Sequence, residues 1–596
     1  MNNAFNPDAA IQNLKTALED RALVQSFSGV RTRFGEGPGI SLEHEILACV
    51  YGFSYARQVL SAMPKAALII GRDPRPTGDA VASALAYGFL SGAASLNNHL
   101  TITDLGIITT PLIETAVRAL KADGGVMITA SHNPINDNGF KFLTGICADH
   151  DPGSAPPGAL LAADAMRDIV EEVRRIADSD PDLLIESLKL VSDDAFRKAY
   201  GSGEDQIHRV KAERAYLDFL GKEWGVQPHC LKPLTLGPVL VDPNGGAACG
   251  IAARVLEHFG VRAIEVNAET GYPEHAIDTD GIDPASGKHM LLRVSRAALR
   301  ENARFGIAFD YDADRGNIVL PGMDESAIIK PQTVSTLNVA LALAHREISG
   351  KHHNGKLAVV LSEATSGSCN KVAEMFHAEV FTVETGEINV VTRMHQLRKE
   401  GYDVPVGVEG ANGGSIFGEA TCRDGLMTSL CAALADEHPD MADQWMRVLR
   451  RNGNGHAPKG VLRLPEIVAG IPVSFNTMIK VQCPNIPHGE LKSRMESHFA
   501  DSLWSNLSNV YKSYRFSNYE GTQERVDRTG DQTGGWRVVL DSDEGMSFIF
   551  ARGSRTEAGI WRMIIDDPVD ARGEALLDAA IAMMNHASDG QAIIRR

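Results

Sequence analysis

Strands alternating with helices over most of the chain, then a closing run of strands joined by short turns, predict an α/β protein of several domains. Three segments share one pattern of apolar strand, polar or glycine turn and amphipathic helix, so three similar α/β sandwich units with mixed or parallel sheets are expected. The closing run predicts a C-terminal α+β domain with an antiparallel sheet. At 596 residues the chain is too long for one core, and its length corresponds to about four domains. We place them at 1–205, 206–322, 323–460 and 461–596, the first with an insertion at about 149–205.

In chain order, the first unit carries the strand Ala67–Ile70, the turn Gly71-Arg72-Asp73 and a helix from about Gly78 to Gly92. A short apolar strand follows at Val126–Ile128. Asp149–Pro157 is rich in Pro, Gly and Ala, and a charged helical run at Met166–Ala177 comes after it. Both read as an insertion or linker without chemistry of its own. The second unit opens with Val239–Val241 and Asp242-Pro243-Asn244-Gly245-Gly246, then a helix through Val255 and a strand at Ala263–Val266. In the third unit Leu357–Leu361 runs into Ser362-Glu363-Ala364, a helix through Met375 and a strand at Val380–Val383. The last unit shows strands at Trp536–Leu540, Met546–Phe550 and Ile560–Ile565, then a helix at about Gly573–His586.

Composition narrows the function classes. The chain is 44% apolar and 22% charged, ordinary for a globular protein. Its net charge of −18 argues against nucleic acid or an anionic membrane as the main partner. An anionic small molecule remains compatible, because a local arginine cluster outweighs the global sign inside a cleft. Eight cysteines are scattered without a C-x-x-C pair, which predicts buried thiols in a reducing compartment, not disulfides or a zinc site. Met1–Asp20 is polar and no stretch has the length of a membrane span, so the expected location is the cytoplasm.

The chemistry concentrates in four loops. Thr129-Ala130-Ser131-His132-Asn133-Pro134 follows a buried strand and leads into Asn138-Gly139-Phe140-Lys141. A hydroxyl at a strand end, an imidazole beside it and an ammonium ten residues on are a set for group transfer. On these residues alone, a turn satisfied by Ser131 and Asn133 and ended by Pro134 stays open. The buried strand Gly306–Phe309 ends in Asp310-Tyr311-Asp312-Ala313-Asp314-Arg315. Alternate carboxylates at a strand end converge if the chain curls there, forming the hard oxygen site that magnesium takes; a solvated acidic turn is the alternative. An EF-hand is excluded, since Arg315 stands where that loop needs Gly and Pro321 where it needs Glu. A phosphatase loop with Asp310 as nucleophile is a rival, weakened by Asp314 where that motif carries Thr or Val.

Charge links these two loops. A phosphorylated Ser131 would carry about −1.5 to −2 charge. Beside three aspartates it needs a divalent cation, and the same cation would draw charge off the phosphoryl group. Arg315, next in the chain, is placed to hold the transferring oxygens or to shift the pKa of a neighbouring base. Arg552-Gly553-Ser554-Arg555-Thr556-Glu557, between two strands, offers guanidinium, hydroxyl and backbone N–H groups for a phosphate monoester, with a hairpin turn as the alternative. Gly407-Val408-Glu409-Gly410-Ala411-Asn412-Gly413-Gly414 offers a carboxylate and an amide for paired sugar hydroxyls, with a simple turn as the alternative. Ser28-Gly29-Val30-Arg31 and Arg72-Asp73-Pro74-Arg75-Pro76 add arginines to the first unit.

These four loops, in this order, resemble the α-D-phosphohexomutase superfamily of phosphoglucomutase and phosphomannomutase type, over about Ser28–Arg562. The resemblance implies four domains around a central cleft, each lending one loop. It implies that Ser131, as phosphoserine, donates its phosphoryl group to a phosphosugar and takes the other phosphate back from a bisphosphorylated intermediate. Mg2+ would be bound by Ser131, Asp310, Asp312 and Asp314, and a hexose bisphosphate would serve as activator. His132, Lys141 and Arg315 match positions of proton transfer or phosphate contact. Substrate contacts would come from Ser28, Arg31, Arg315, Glu409, Asn412, Arg552, Ser554, Arg555 and Thr556. Tyr311 stands where the family's metal loop usually has glycine, and Ala411 where its sugar loop usually has serine, unless Asn412 takes that role. Gly553, Arg555 and Ala558 replace a Pro, a Gly and a Pro of the phosphate loop, and Glu384 stands where relatives often place lysine.

The expected activity is interconversion of a hexose 1-phosphate and 6-phosphate, glucose or mannose, with the choice between these and glucosamine open. The expected partner is a small phosphosugar, and the expected assembly a monomer or small homo-oligomer. Two alternatives remain at this point: a metal-dependent sugar phosphatase, and a catalytically silent sugar-phosphate-binding regulatory protein.

Overall fold

A computed structural model describes residues 7–146, 155–200, 205–231, 237–275, 281–283, 286–350, 356–410, 413–437, 439–452, 463–483, 485–554 and 559–595. The fold is α/β with four main sheets, the last of them antiparallel. Contacts divide the chain into two compact units. One comprises residues 1–277, 296–316 and 419–426; the other comprises 278–295, 317–418 and 427–596.

In the first unit, strand Lys65–Arg72 pairs in parallel with His99–Ile107 and Gly124–Ile128. Asp137–Thr144 then adds antiparallel to Gly124–Ile128, Gly29–Arg33 to it, and Val24–Ser26 at the edge. The mixed sheet follows from chain economy, since Gly124–Ile128 reaches Asp137–Thr144 through a short loop while each parallel neighbour needs a helical crossover. The helices Leu42–Leu60 and Gly78–Ser95 pack against each other on its face. Gly88 makes that possible, because a Cβ there would stand 2.0 Å from the Cys49 carbonyl oxygen. A second sheet places Val239–Asp242 between Ala263–Glu265 and Gly306–Phe309, all parallel.

The segment after Asp149 is more than a linker. Helix Ala163–Asp178 buries Met166, Ile169, Val173 and Ile176, and Leu184 and Leu188 of the next helix join them in the first unit's core. The apolar positions recur at helical spacing, so one face sinks into the core while the charged face meets water.

In the second unit, Leu357–Ser362 pairs in parallel with Glu379–Val383 and Asp403–Glu409, and Gly414–Phe417 closes the edge antiparallel. The C-terminal sheet is antiparallel, in the order 513–516, 535–542, 545–553, 560–567, 475–482, 593–595. Helices His488–His498 and Asp570–Ala587 cover one face, with Trp536, Trp561, Met583 and Met584 fully buried in that core. Cys49, Cys369, Cys422, Cys431 and Cys483 are buried, whereas Cys230 is exposed and Cys249 half-buried. Among the described residues, no helix is long and apolar enough to cross a membrane.

Candidate active site

Parallel strands deliver their carboxyl ends to one edge of a sheet, and side chains that follow them meet there. Arg72 pairs with Ile128, so Asp73 and Thr129 emerge side by side, and the Thr129 hydroxyl donates to Asp73 Oδ2 at 2.6 Å. Thr129 Oγ1 in turn accepts the Ser131 N–H at 2.8 Å. Arg75 completes the scaffold. Its guanidinium, fully buried, pairs with Asp73 at 3.2 Å and donates to four carbonyls of the serine loop. They are Ser131 at 2.7 Å, Asn133 at 2.8 Å, Pro134 at 2.5 Å and Asp137 at 2.7 Å. These bonds hold Ser131 at φ 52°, a left-handed conformation that costs a non-glycine residue about 1–2 kcal/mol. Such strain persists where the surroundings over-determine it, and it is common at reacting groups.

The aspartate loop leaves the carboxyl end of Gly306–Phe309 in the same unit. The carboxylates of Asp310, Asp312 and Asp314 lie within 4.8 Å of one another, and each residue is at most 1% exposed. The Ser131 hydroxyl donates to Asp310 Oδ2 at 3.0 Å, so the two loops meet at the reacting oxygen. Arg315 Nε also donates to that carboxylate oxygen, at 2.9 Å, and the Arg315 amide donates to Oδ1 at 3.1 Å. The far end of Arg315 reaches Ser131 Oγ at 3.2 Å and His132 Nδ1 at 2.7 Å. A guanidinium only donates, so His132 Nδ1 is the acceptor and its proton, when the ring is neutral, sits on Nε2.

Further cations surround the acids. Lys141 Nζ stands 3.1 Å from Asp312 Oδ2 and 3.6 Å from Asp314 Oδ2. The Thr110 hydroxyl donates to Asp312 Oδ2 at 2.9 Å, and Arg423 pairs with Asp314 Oδ2 at 2.5 Å. Burial, with Asp314 and Asp312 nearby, pushes the Asp310 carboxyl well above its usual range despite Arg315. Burial also raises Asp314, but Arg423, Lys141 and Arg315 outweigh it and hold that carboxyl well below the usual range. Burial lowers the Arg31 guanidinium, against the pull of Asp312. Among the described residues, Asp312 Oδ1 and Asp314 Oδ1 are buried without a hydrogen-bond partner, although Arg315 Nε stands 3.4 Å from the latter. Carboxylate oxygens left without a hydrogen bond inside a triad are what a hard divalent cation satisfies, so the residues present fit a magnesium ion.

The remaining expected contacts divide between the units. Ser28 and Arg31 belong to the first, where Ser28 Oγ lies 2.8 Å from Ser26 Oγ and Arg31 Nη2 donates to the Ser28 carbonyl at 3.4 Å. Glu409 ends strand Asp403–Glu409 of the second unit, and the Gly410 amide donates to Ser362 Oγ at 2.7 Å. Asn412, Arg555 and Thr556 lie outside the described residues. Arg552 is the next-to-last residue of the strand Gly545–Gly553, and the Ser554 amide donates to the Ile560 carbonyl at 2.7 Å.

Strand pairing also puts Glu363 and Glu384 at adjacent strand ends, since Ser362 pairs with Val383. Glu384 Oε1 accepts from Arg552 at 2.8 Å, and Oε2 lies 3.3 Å from Arg528. Burial pushes Glu363 up to about 7 against the pull of Arg552. Sequence reasoning missed Thr110 and did not foresee the partner of Arg423, and it counted Arg75 only among the arginines of the first unit. Arg423 lies beyond the glycine-rich segment 407–414, and nothing local signals that segment 419–426 returns to the first unit. The signal for Arg75 was present in Arg72-Asp73-Pro74-Arg75, where a carboxylate two residues before an arginine marks a self-bridged turn.

Comparison with known proteins matches two family models. Residues 24–150 match phosphoglucomutase/phosphomannomutase, alpha/beta/alpha domain I, and residues 337–448 match alpha/beta/alpha domain III of the same family. A phosphoglucosamine mutase from Corynebacterium diphtheriae is 26% identical over 416 residues, 69% of this chain and 76% of that protein. Another from a Parafrankia species is 28% identical over 390 residues, 64% of this chain and 69% of the relative. Among solved structures, a phosphoglucomutase/phosphomannomutase family protein from Burkholderia thailandensis superposes with TM-score 0.61 at 17% identity, covering 96% of this chain and 98% of its own. Parafusin from Paramecium, in an open form, gives TM-score 0.61 at 16% identity over 95% of this chain and 94% of its own. The two structures share the fold.

Proposed function

We propose that this chain, which carries domains I and III of the phosphoglucomutase/phosphomannomutase family, is a phosphohexomutase that stores its phosphoryl group on Ser131. The observation that carries the reading is the Ser131 hydroxyl, held at φ 52° with its oxygen 3.0 Å from Asp310 and 3.2 Å from Arg315. Both Asp310 oxygens already accept bonds, from Arg315 and from Ser131, which favours serine over aspartate as the phosphoryl carrier. Glucosamine stands ahead of glucose and mannose as the sugar, because the curated relatives described above are phosphoglucosamine mutases.

In the first half-reaction the bond from phosphorus to Ser131 Oγ breaks as a hydroxyl oxygen of the phosphosugar attacks. The hydroxyl proton leaves toward a neighbouring base, either His132 Nδ1 once it gives up its bond from Arg315 or Lys141 as the free amine, and the Ser131 oxygen released takes up a proton in its place. The reverse transfer, from the other phosphate of the bisphosphorylated sugar, restores phosphoserine. Arg315 is placed to hold the moving oxygens, since it already bonds Ser131 Oγ and His132. Asp310, Asp312 and Asp314 would hold Mg2+, which supplies charge neutralisation for the phosphoryl group when bound. Glu409 and Asn412 would hold the sugar hydroxyls, and Ser28, Arg31, Arg552, Ser554, Arg555 and Thr556 the distal groups. A hexose bisphosphate would prime unphosphorylated enzyme. The division into four domains belongs to this reading, supported by one main sheet falling within each of 1–205, 206–322, 323–460 and 461–596. So do a cytoplasmic location and a monomeric or small homo-oligomeric state.

The test is the mass of the purified protein after exposure to hexose bisphosphate and Mg2+, with the modified residue mapped. Turnover of glucosamine, glucose and mannose 1-phosphates follows. One acid-stable phosphoryl group on Ser131, lost in Ser131→Ala together with turnover, is expected. Steady release of inorganic phosphate with no phosphoserine would replace this reading by a phosphatase.

A further inference from the structure

Glu384 is an acid at a strand end where the resemblance leads one to expect lysine, and the residue is only 5% exposed. It is held from several sides. Oε1 accepts from Arg552 Nη2 at 2.8 Å, and Oε2 accepts the Gly521 N–H at 2.9 Å with Arg528 3.3 Å away. The Glu384 N–H returns a bond to the Gly521 carbonyl at 2.9 Å. Arg552 is further tied to the Thr385 carbonyl at 2.7 Å. Arg528 and Arg552 are 5% and 8% exposed. Nearby, Lys492 Nζ donates to the Thr533 carbonyl at 2.7 Å and to the Arg528 carbonyl at 3.5 Å. Two guanidinium groups thus close on one carboxylate, the way they would close on a phosphate monoester.

We propose that Glu384 is an affinity-setting residue, an internal anion that competes with the substrate phosphate for Arg552. The proposal rests on Arg552 being a phosphate contact, as assigned above. In the ligand-free protein the carboxylate keeps Arg552 paired and ordered, sparing it a buried unpaired charge, and shares Arg528 with Asp531, 3.4 Å from its Nε. An incoming phosphate meets a guanidinium already satisfied and a negative charge beside it, so it binds by displacing or sharing that partner. The cost falls on substrate and product alike and keeps either from being held too long. An enzyme whose intermediate must turn over and rebind has use for a weakened distal grip.

The experiment compares the parent with Glu384→Gln, which keeps the volume and an acceptor for Gly521 while removing the charge. Binding of inorganic phosphate, measured by calorimetry, is expected to tighten about tenfold, the scale of one charge interaction in partly screened surroundings. KM for the phosphosugar should fall with kcat not rising, as when binding changes equally in ground and transition states. A phosphate constant within about threefold of the parent, or weaker, overturns the proposal, since a purely structural Glu384 would change stability without raising anion affinity. Should Glu384→Gln fail to fold, Glu384→Asp withdraws the carboxylate by one methylene, and phosphate binding no tighter than in the parent overturns the proposal equally. Because the readout is phosphate binding, it stands apart from the mutase assignment, which fails separately if the parent forms no phosphoserine.

Discussion

Single side chains in this protein are governed by burial. Glu363 is the clearest case. Burial raises its carboxyl from the ordinary 4.5 to about 7, with Arg552 opposing and Glu384 adding to the rise. A carboxyl that holds its proton more tightly when folded stabilises the fold fully below its unfolded value and loses that contribution as pH climbs through the folded one. The parent should therefore lose stability between about pH 4.5 and 7 relative to Glu363→Gln, which has no proton to lose. Urea midpoints for both proteins across that window check this, and parallel curves would refute it. His132 and Lys141 could be singled out from the sequence, because they stand near Ser131 in the motif that carries the resemblance. Glu384 and Glu363 were not, since their partners Arg552 and Thr385 are set by pairing of strand ends.

At the scale of elements, the loops matter through what stands behind them. The serine loop has few residues and no regular pairing of its own at Ala130–Ser131, so its shape comes from Arg75 and Thr129. Arg75 also lies with its guanidinium carbon 5.2 Å from the ring centroid of Tyr311, the residue between two of the metal-triad acids. One buried cation thus touches both the serine loop and the aspartate loop. Arg75→Ala should cost about 3–5 kcal/mol of stability, since Asp73 would be left as a buried charge without its partner. Arg75→Lys should recover only part of it, because an ammonium cannot span four carbonyls as a planar fork does. Denaturant unfolding and the extent of Ser131 phosphorylation measure both, and parent-like values for the alanine variant would end this account. The strand-turn-helix pattern located the sheet strands to within a few residues, as at Gly306–Phe309. Helix Ala163–Asp178 was legible as a helix, but its charged face hid how firmly the other face is buried.

On the scale of the whole molecule, the chain leaves the first unit and comes back. Segment 419–426 follows the third sheet in sequence yet packs within the first unit. There Arg423 pairs with Asp314, the Tyr216 hydroxyl donates to Asp424 with both carboxylate oxygens 2.9 Å away, and Thr421 Oγ1 accepts from Arg118 at 3.1 Å. The Gly425 amide donates to the Ala313 carbonyl at 3.2 Å. A fragment ending at residue 316 therefore lacks four partners of buried groups. It should unfold at a lower temperature than the full chain, or without a cooperative transition, in calorimetry. A fragment that melts cooperatively at the full chain's temperature would show that the returning segment contributes nothing.

Local pattern by itself determined the α/β class, the antiparallel closing sheet, and the serine and triple-aspartate loops, because periodicity and strand-end chemistry are written in neighbouring residues. Only tertiary structure decided which donors meet which acids. Arg423 on Asp314, Thr110 on Asp312 and Glu384 on Arg552 join residues 109, 202 and 168 positions apart. In a buried site the charge on each group depends on its spatial neighbours, and sequence distance carries no information about those.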